Sequence, residues 1–268
     1  MNAYLIPNQY IDFDNEGVSR KAAALSFGLR GDLSIAEACF KFVRDDIRHS
    51  WDHKRNPVTC RASEALRHRT GYCYSKSHLL AALLRANGIP AGLCYQRLSI
   101  DDSGPPYCLH GLNAVYLEDH GWYRCDARGN KPGVNARFTP PREALAFDIR
   151  EPEEYDLPGI WVEPLSIVTK ALERFSDVTE MHANLPDVPP WADRVPGVSI
   201  PSPPHSSETG DPPVHSVGSS AAKGTGLVLE PIAHEPDNGS ASPPQAGQRL
   251  TNTPGERFSG CGRRKGRP

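Results

Sequence analysis

The chain has 268 residues, a formal net charge of −2 and a pI of about 6.6. It lacks the basic excess that neutralises phosphates, which argues against nucleic acid as a partner. No apolar run approaches the roughly 18 residues of a membrane span, and the opening MNAYLIPNQYIDFD carries neither a cationic n-region nor an h-region. A cytoplasmic protein with no membrane partner is the expectation.

Proline divides the chain. Of the 26 prolines, 15 lie from Pro186 onward, in a stretch whose only aromatic residues are Trp191 and Phe258. Such a composition buries too little apolar surface to offset the entropy of ordering the backbone. The expected organisation is a folded domain over 1–185 followed by a proline-rich, disordered tail over 186–268.

In chain order, residues 16–29 favour a first helix. A second is expected to start at Ser34, with Glu37 three residues on as a capping box, and to run through IAEACFKFVRDDIRH. ASEALRH (62–68) predicts a short helix. CYSKSHLLAALLRAN (73–87) predicts a long one, stopped by Gly88 and Pro90. Strands are expected over 91–100, 111–118 and 121–128, the last two joined by a turn at Asp119-His120-Gly121. REALAF (142–147) and LSIVTKALERF (165–175) predict further helices after prolines. Helices followed by an antiparallel sheet make an α+β domain.

Six cysteines (Cys39, Cys60, Cys73, Cys94, Cys108 and Cys125) fall in the expected domain and Cys261 in the tail. A reducing compartment and the absence of any C-x-x-C pair argue against disulfides and against a structural zinc site. Cys73 differs from the rest by its position at a helix start, behind Gly71, which is expected to let the chain turn tightly. There the helix dipole favours the thiolate, the nucleophilic form. A cysteine nucleophile needs an imidazole to carry its proton and an acceptor to orient that imidazole. His110, at the head of one strand, and Asp126, near the end of its partner, supply both. The expected arrangement has the carboxylate on Nδ1 and Nε2 facing the thiol.

At these residues the chain resembles a known family. TGYCYSKSHLLAALLRANGIPA (70–91), HGLNAVYL (110–117) and GWYRCD (121–126) are similar, in order and spacing, to blocks of the transglutaminase-like superfamily in its bacterial-type form. The resemblance covers roughly residues 35–130. It implies a papain-like core with helices packed on an antiparallel sheet, and a triad carried by Cys73, His110 and Asp126. Members include transglutaminases, proteases, amidases and forms that have lost activity. Two positions depart from the family pattern: Leu112 stands where an aromatic is usual, and DARGN (126–130) replaces the usual residues after the acid.

The resulting expectation is acyl transfer or hydrolysis at a peptide or protein amide, needing no metal or organic cofactor. The alternative is a catalytically inactive binding module on the same fold. An oxyanion hole is expected to use the Cys73 N–H with a side-chain donor from His49 or Trp51. Lys76 and His78 read as helix-face residues, and Arg128, Gly129 and Asn130 as a substrate clamp or a solvated loop. A zinc site from Cys94, Cys108, Cys125 and His110 is the weakest alternative. The basic end GRRKGRP (262–268) reads as a solvated terminus. Oligomeric state is not legible.

Overall fold

A computed structural model of the chain describes residues 1–101 and 103–188. The expected tail lies outside the described residues apart from Pro186, Asp187 and Val188. These three are docked: the Leu109 N–H donates to the Pro186 carbonyl (2.8 Å), and Asp187 pairs with Arg97 (2.7 Å). The Tyr155 hydroxyl donates to the Val188 carbonyl (2.6 Å), and the Val188 side chain joins the core. The folded part therefore extends at least three residues past the expected boundary at 185. Two prolines flanking Asp187 and Val188 made the segment look like tail, but backbone acceptors and one carboxylate suffice to hold it.

The elements are helices α1 (Glu16–Ser26), α2 (Asp32–Lys41), α3 (Ala62–His68) and α4 (Cys73–Ala86), and strands β1 (Arg48–His49) and β2 (Thr70–Gly71). Strands β3 (Ala91–Ser99), β4 (Tyr107–Leu117), β5 (Gly121–Cys125) and β6 (Tyr155–Asp156) follow, then helices α5 (Ser166–Arg174) and α6 (Val178–His182). One sheet is antiparallel in the order β5-β4-β3-β6, and β1 pairs with β2 in parallel. Every residue of α4 from Cys73 to Arg85 is buried. A helix buried on every face belongs in the middle of a domain, and α4, polar residues included, runs between the sheet on one side and α1, α2 and α3 on the other.

Three local expectations are corrected. Helix α2 begins at Asp32, behind Gly31, and the Ser34 hydroxyl donates to the Arg30 carbonyl (2.7 Å) inside the first turn, so no capping box forms there. The capping glutamate operates on α3 instead, where Glu64 accepts from the Cys60 and Arg61 N–H groups at 2.9 and 3.1 Å. REALAF is not helical: Ala144 bridges to Arg137, and the chain runs on irregularly through Phe147. Its helix propensity yields to contacts with the β4–β5 hairpin described below.

Two glycines set the approach of α4 to its neighbours. A Cβ on Gly71 would stand 2.5 Å from Ser75 Oγ and 3.3 Å from Thr59 Oγ1; one on Gly111 would stand 3.0 Å from Tyr74 Cδ1 and 3.3 Å from its Cα. Gly71 sits in β2 and serves close packing, not the tight turn expected of it. Asn113 fastens the sheet to the helix by donating to the Ser77 and Gly92 carbonyls (2.9 and 3.2 Å). Among the described residues no helix is long and apolar enough to cross a membrane.

Candidate active site

Cys73 is the first residue of α4, and no side chain caps that end of the helix. The strand that passes it is β4. The Tyr74 hydroxyl donates to the Leu109 carbonyl, and Gly111 lies against the Tyr74 ring and backbone, so His110 is held between two anchors beside the helix start.

The turn falls at 118–120, one residue before the expected 119–121, with Gly121 opening β5, and its register does the rest. Asn113 pairs with Cys125, which sets Asp126 opposite Leu112 and on the same face as His110, two residues away. His110 Nε2 and Asp126 Oδ2 are 2.7 Å apart. The nitrogens are therefore used the other way round from the expectation: Asp126 takes Nε2, and among the described residues Nδ1 has no hydrogen-bond partner. The diagonal register brings the carboxylate to the far end of the ring.

Asp126 also accepts from the Arg128 N–H (3.0 Å) and the Ala146 N–H (3.1 Å). Burial alone would raise its pKa, but His110 and these two N–H groups hold it below the usual carboxylate range. For His110, burial opposes the charge; the Asp126 carboxylate outweighs it, the Cys73 sulfur adds to the same effect, and the pKa rises to about 9. Phe147 closes over this pair, its ring edge-on to the imidazole at 4.9 Å. That contact and the Ala146 N–H are the reason REALAF is not a helix.

His49 comes to the same neighbourhood. The β1–β2 pairing sets it opposite Gly71, and its ring lies 4.8 Å from that of Tyr72. It is 3% exposed, neither ring nitrogen has a hydrogen-bond partner among the described residues, and Asp52 stands 3.4 Å from Nδ1. Burial first, then Arg128, Lys76 and His110, keep its pKa well below the ordinary value, so the ring is neutral. Trp51 has other company: it stacks on His182 of α6 at 3.5 Å, and His182 Nδ1 is 2.9 Å from the Tyr72 hydroxyl.

Several side chains take places that the sequence did not indicate. Lys76 and His78 are wholly buried. Lys76 Nζ donates to the carbonyls of Ile47 and, at 3.4 Å, Arg44; burial and then Arg128 push its pKa down to about 7. Its four-carbon stem crosses from α4 to the end of the π-helical turn at Phe42–Asp46. His78 Nδ1 donates to the Cys60 carbonyl (2.7 Å), and burial pushes its pKa to about 4. Arg128 is neither a clamp nor solvated: it is buried and pairs with Asp52 at 2.6 and 3.0 Å. A Lys three residues into a helix, or an Arg in a loop, has an exposed place as its default, so no pattern in the sequence marked either one.

The zinc alternative fails on placement. Cys94, Cys108 and Cys125 point into three separate apolar clusters, and among the described residues no three metal-ligating side chains converge. All six described cysteines are free thiols.

A central helix started by a cysteine, packed on an antiparallel sheet that carries a buried His–Asp pair, is the α+β arrangement that the resemblance of residues 70–126 implies. Residues 21–127 match the family model described as the transglutaminase-like superfamily. No curated protein matches the chain. Among solved structures it is similar to a candidate cysteine protease from Cytophaga hutchinsonii (20% identity, 47% of this chain and 40% of that one, TM-score 0.39). It is also similar to the periplasmic domain of TgpA from Pseudomonas aeruginosa (19%, 46% and 45%, 0.37). A third is the arylamine N-acetyltransferase from Mycobacterium abscessus (18%, 49% and 50%, 0.36). The chain spans no more than half the length of any of the three.

Proposed function

We propose that the protein is a thiol enzyme that transfers an acyl group from a peptide or protein amide, with Cys73 as nucleophile, His110 as acid and base, and Asp126 as the group that orients His110. The observation that carries this reading is the buried 2.7 Å His110–Asp126 pair, on whose imidazole the side chain of the helix-start Cys73 also acts. An imidazolium held by a carboxylate beside a sulfur stabilises the thiolate. The thiolate attacks the amide carbonyl, forming a C–S bond. His110 then gives its Nδ1 proton to the departing amine as the C–N bond breaks. Water, deprotonated by the now neutral His110, attacks the thioester and returns the thiol and a carboxylic acid. A primary amine in place of water makes the reaction a transamidation. Hydrolysis is the favoured outcome because water is always present.

The Cys73 N–H and a neutral His49 ring supply donors for the oxyanion. His49 is preferred to Trp51, which is engaged with His182. The second reading, an inactive binding module, draws on one observation: Cys73, His110 and Asp126 are each no more than 2% exposed. Iodoacetamide labelling, read cysteine by cysteine by mass spectrometry, separates the two. An enzyme labels at Cys73 faster than at any other cysteine near pH 6–7, and His110→Ala slows that reaction. Labelling at Cys73 no faster than at Cys261 supports the binding module.

A further inference from the structure

The proposed catalytic side chains are buried, so the thiol has no open approach in this arrangement of the chain. β5 pairs with β4 only from Asn113 to Leu117, so around Leu109 and His110 the outer edge of β4 has no strand partner among the described residues. The segment that follows α6 stands there instead. Its Pro186 carbonyl takes the Leu109 N–H at 2.8 Å, as the backbone of a neighbouring strand would. Successive side chains of a strand point to opposite faces. Leu109 belongs to the large core cluster with Tyr72, Cys73 and Tyr74, and Cys108 to the smaller one with Phe147, whose ring meets His110. Leu185 packs against both clusters. A side chain that reaches both faces of a sheet lies at its edge, and the next residue, Pro186, fixes that edge as the one at Leu109.

At the other end of the same segment, His182 Nδ1 is 2.9 Å from the Tyr72 hydroxyl, and the His182 ring stacks on Trp51 at 3.5 Å. One short run of chain therefore bonds to the neighbours of both proposed catalytic groups, Tyr72 beside Cys73 and Leu109 beside His110. We propose that residues 182–187 are a strap that closes the candidate active site, and that a substrate reaches Cys73 once the strap has left the edge of β4. The inference rests on the thiol-enzyme reading and gives that site its regulation. The strap is built to open while staying tethered. Met181 and Val188, one at each end, are buried in the core cluster. Between them Ala183 and Asn184 are exposed and Leu185 is half-buried. What holds this middle down is the Leu109 N–H, the His182 contacts and the Asp187–Arg97 pair at 2.7 Å. A segment with so few buried apolar contacts opens locally at less than the cost of global unfolding.

Two variants of the full chain loosen the strap without touching a proposed catalytic residue. Leu185→Asp sets a charge between two apolar clusters, and His182→Ala frees the end beside Tyr72. Labelling with a bulky fluorescent maleimide is followed cysteine by cysteine by mass spectrometry. In the wild type, Cys73 is expected to react more slowly with this reagent than with iodoacetamide, each rate being taken relative to glutathione. Each variant is expected to raise maleimide labelling at Cys73 at least about tenfold, with Cys39 and Cys125 unchanged. Turnover of peptide amides should rise alongside. Unchanged labelling of Cys73 in a variant with a native circular dichroism spectrum, or an equal rise at Cys39 and Cys125, overturns the strap. Selective exposure of Cys73 with no turnover by the wild type or either variant sinks the enzyme reading and leaves the strap standing.

Discussion

Gly111 lies against Tyr74 so closely that a Cβ at 111 would be 3.3 Å from the Tyr74 Cα. Each residue is the chain neighbour of a proposed catalytic group, His110 on one side and Cys73 on the other. A close contact that a Cβ would crowd therefore lies between the chain neighbours of the sulfur and of the imidazole. Gly111→Ala is expected to slow Cys73 alkylation at least severalfold while the circular dichroism spectrum stays native, because the strand must move off the helix by a few tenths of an ångström. Unchanged alkylation would show that the contact does not set the distance.

Cys73→Ser exchanges a thiol for a hydroxyl that is far harder to ionise. Turnover is expected to fall by on the order of 10³-fold or more, with the melting temperature close to that of the wild type. A steady-state assay on peptide amides, with and without added primary amine, checks the first point and also assigns the acyl acceptor. Calorimetry checks the second.

The His110–Asp126 pair carries a pH signature. His110 is raised to about 9, so its contribution to stability is full below the ordinary histidine pKa and is lost as the pH rises through 9. Asp126 is depressed, so its contribution is present above the ordinary aspartate pKa and lost as the pH falls through its folded value. Urea unfolding of the wild type should therefore show stability declining from pH 6.5 to 9.5. Asp126→Asn, which removes the charge that raises His110, should flatten that slope; an unaltered slope would detach it from this pair.

Arg128 and Asp52 form a bidentate pair that ties the segment after β5 to the turn that follows His49 and β1. Removing one member of a buried pair strands the other, at a cost of about 3 kcal/mol. Arg128→Met is expected to lose roughly that amount in chemical denaturation. Adding Asp52→Asn should recover part of it, since the stranded charge is then gone. Additive losses in the double variant would mean that the two residues act separately.

Residues 186–188 give a paired truncation test. Ending the chain after Asn184 removes the Pro186, Asp187 and Val188 contacts with Leu109, Arg97 and Tyr155, and is expected to lower the melting temperature by several degrees relative to a chain ending after Val188. Equal melting temperatures would return the boundary to 185.

Much of the site was legible because it is built from local signals. The leucine- and alanine-rich run after Cys73 marks a helix start by periodicity and composition, and the glycine turn between two alternating segments marks the hairpin that carries His110 and Asp126. Which nitrogen of His110 meets Asp126 was not legible, since it depends on a diagonal across two strands at a register that the turn alone leaves open by one residue. Nor was the fate of REALAF, whose helical propensity is worth less than the Ala146 N–H on Asp126 and the Phe147 ring on His110. The burial of Lys76 and Arg128 was equally hidden. Their partners, the Ile47 carbonyl and Asp52, are 29 and 76 residues away.

By itself the sequence determined an α+β chain whose helix-start cysteine, strand histidine and hairpin aspartate follow in order, because helix caps, turns and two-residue alternation are short-range properties. Tertiary structure decided the orientation of the imidazole, the placing of a neutral His49 beside the candidate site, the burial of Lys76 and Arg128 and the docking of residues 186–188. Each of these depends on side chains far apart in sequence competing for the same few buried donors and acceptors, and that competition is settled only when the chain is packed.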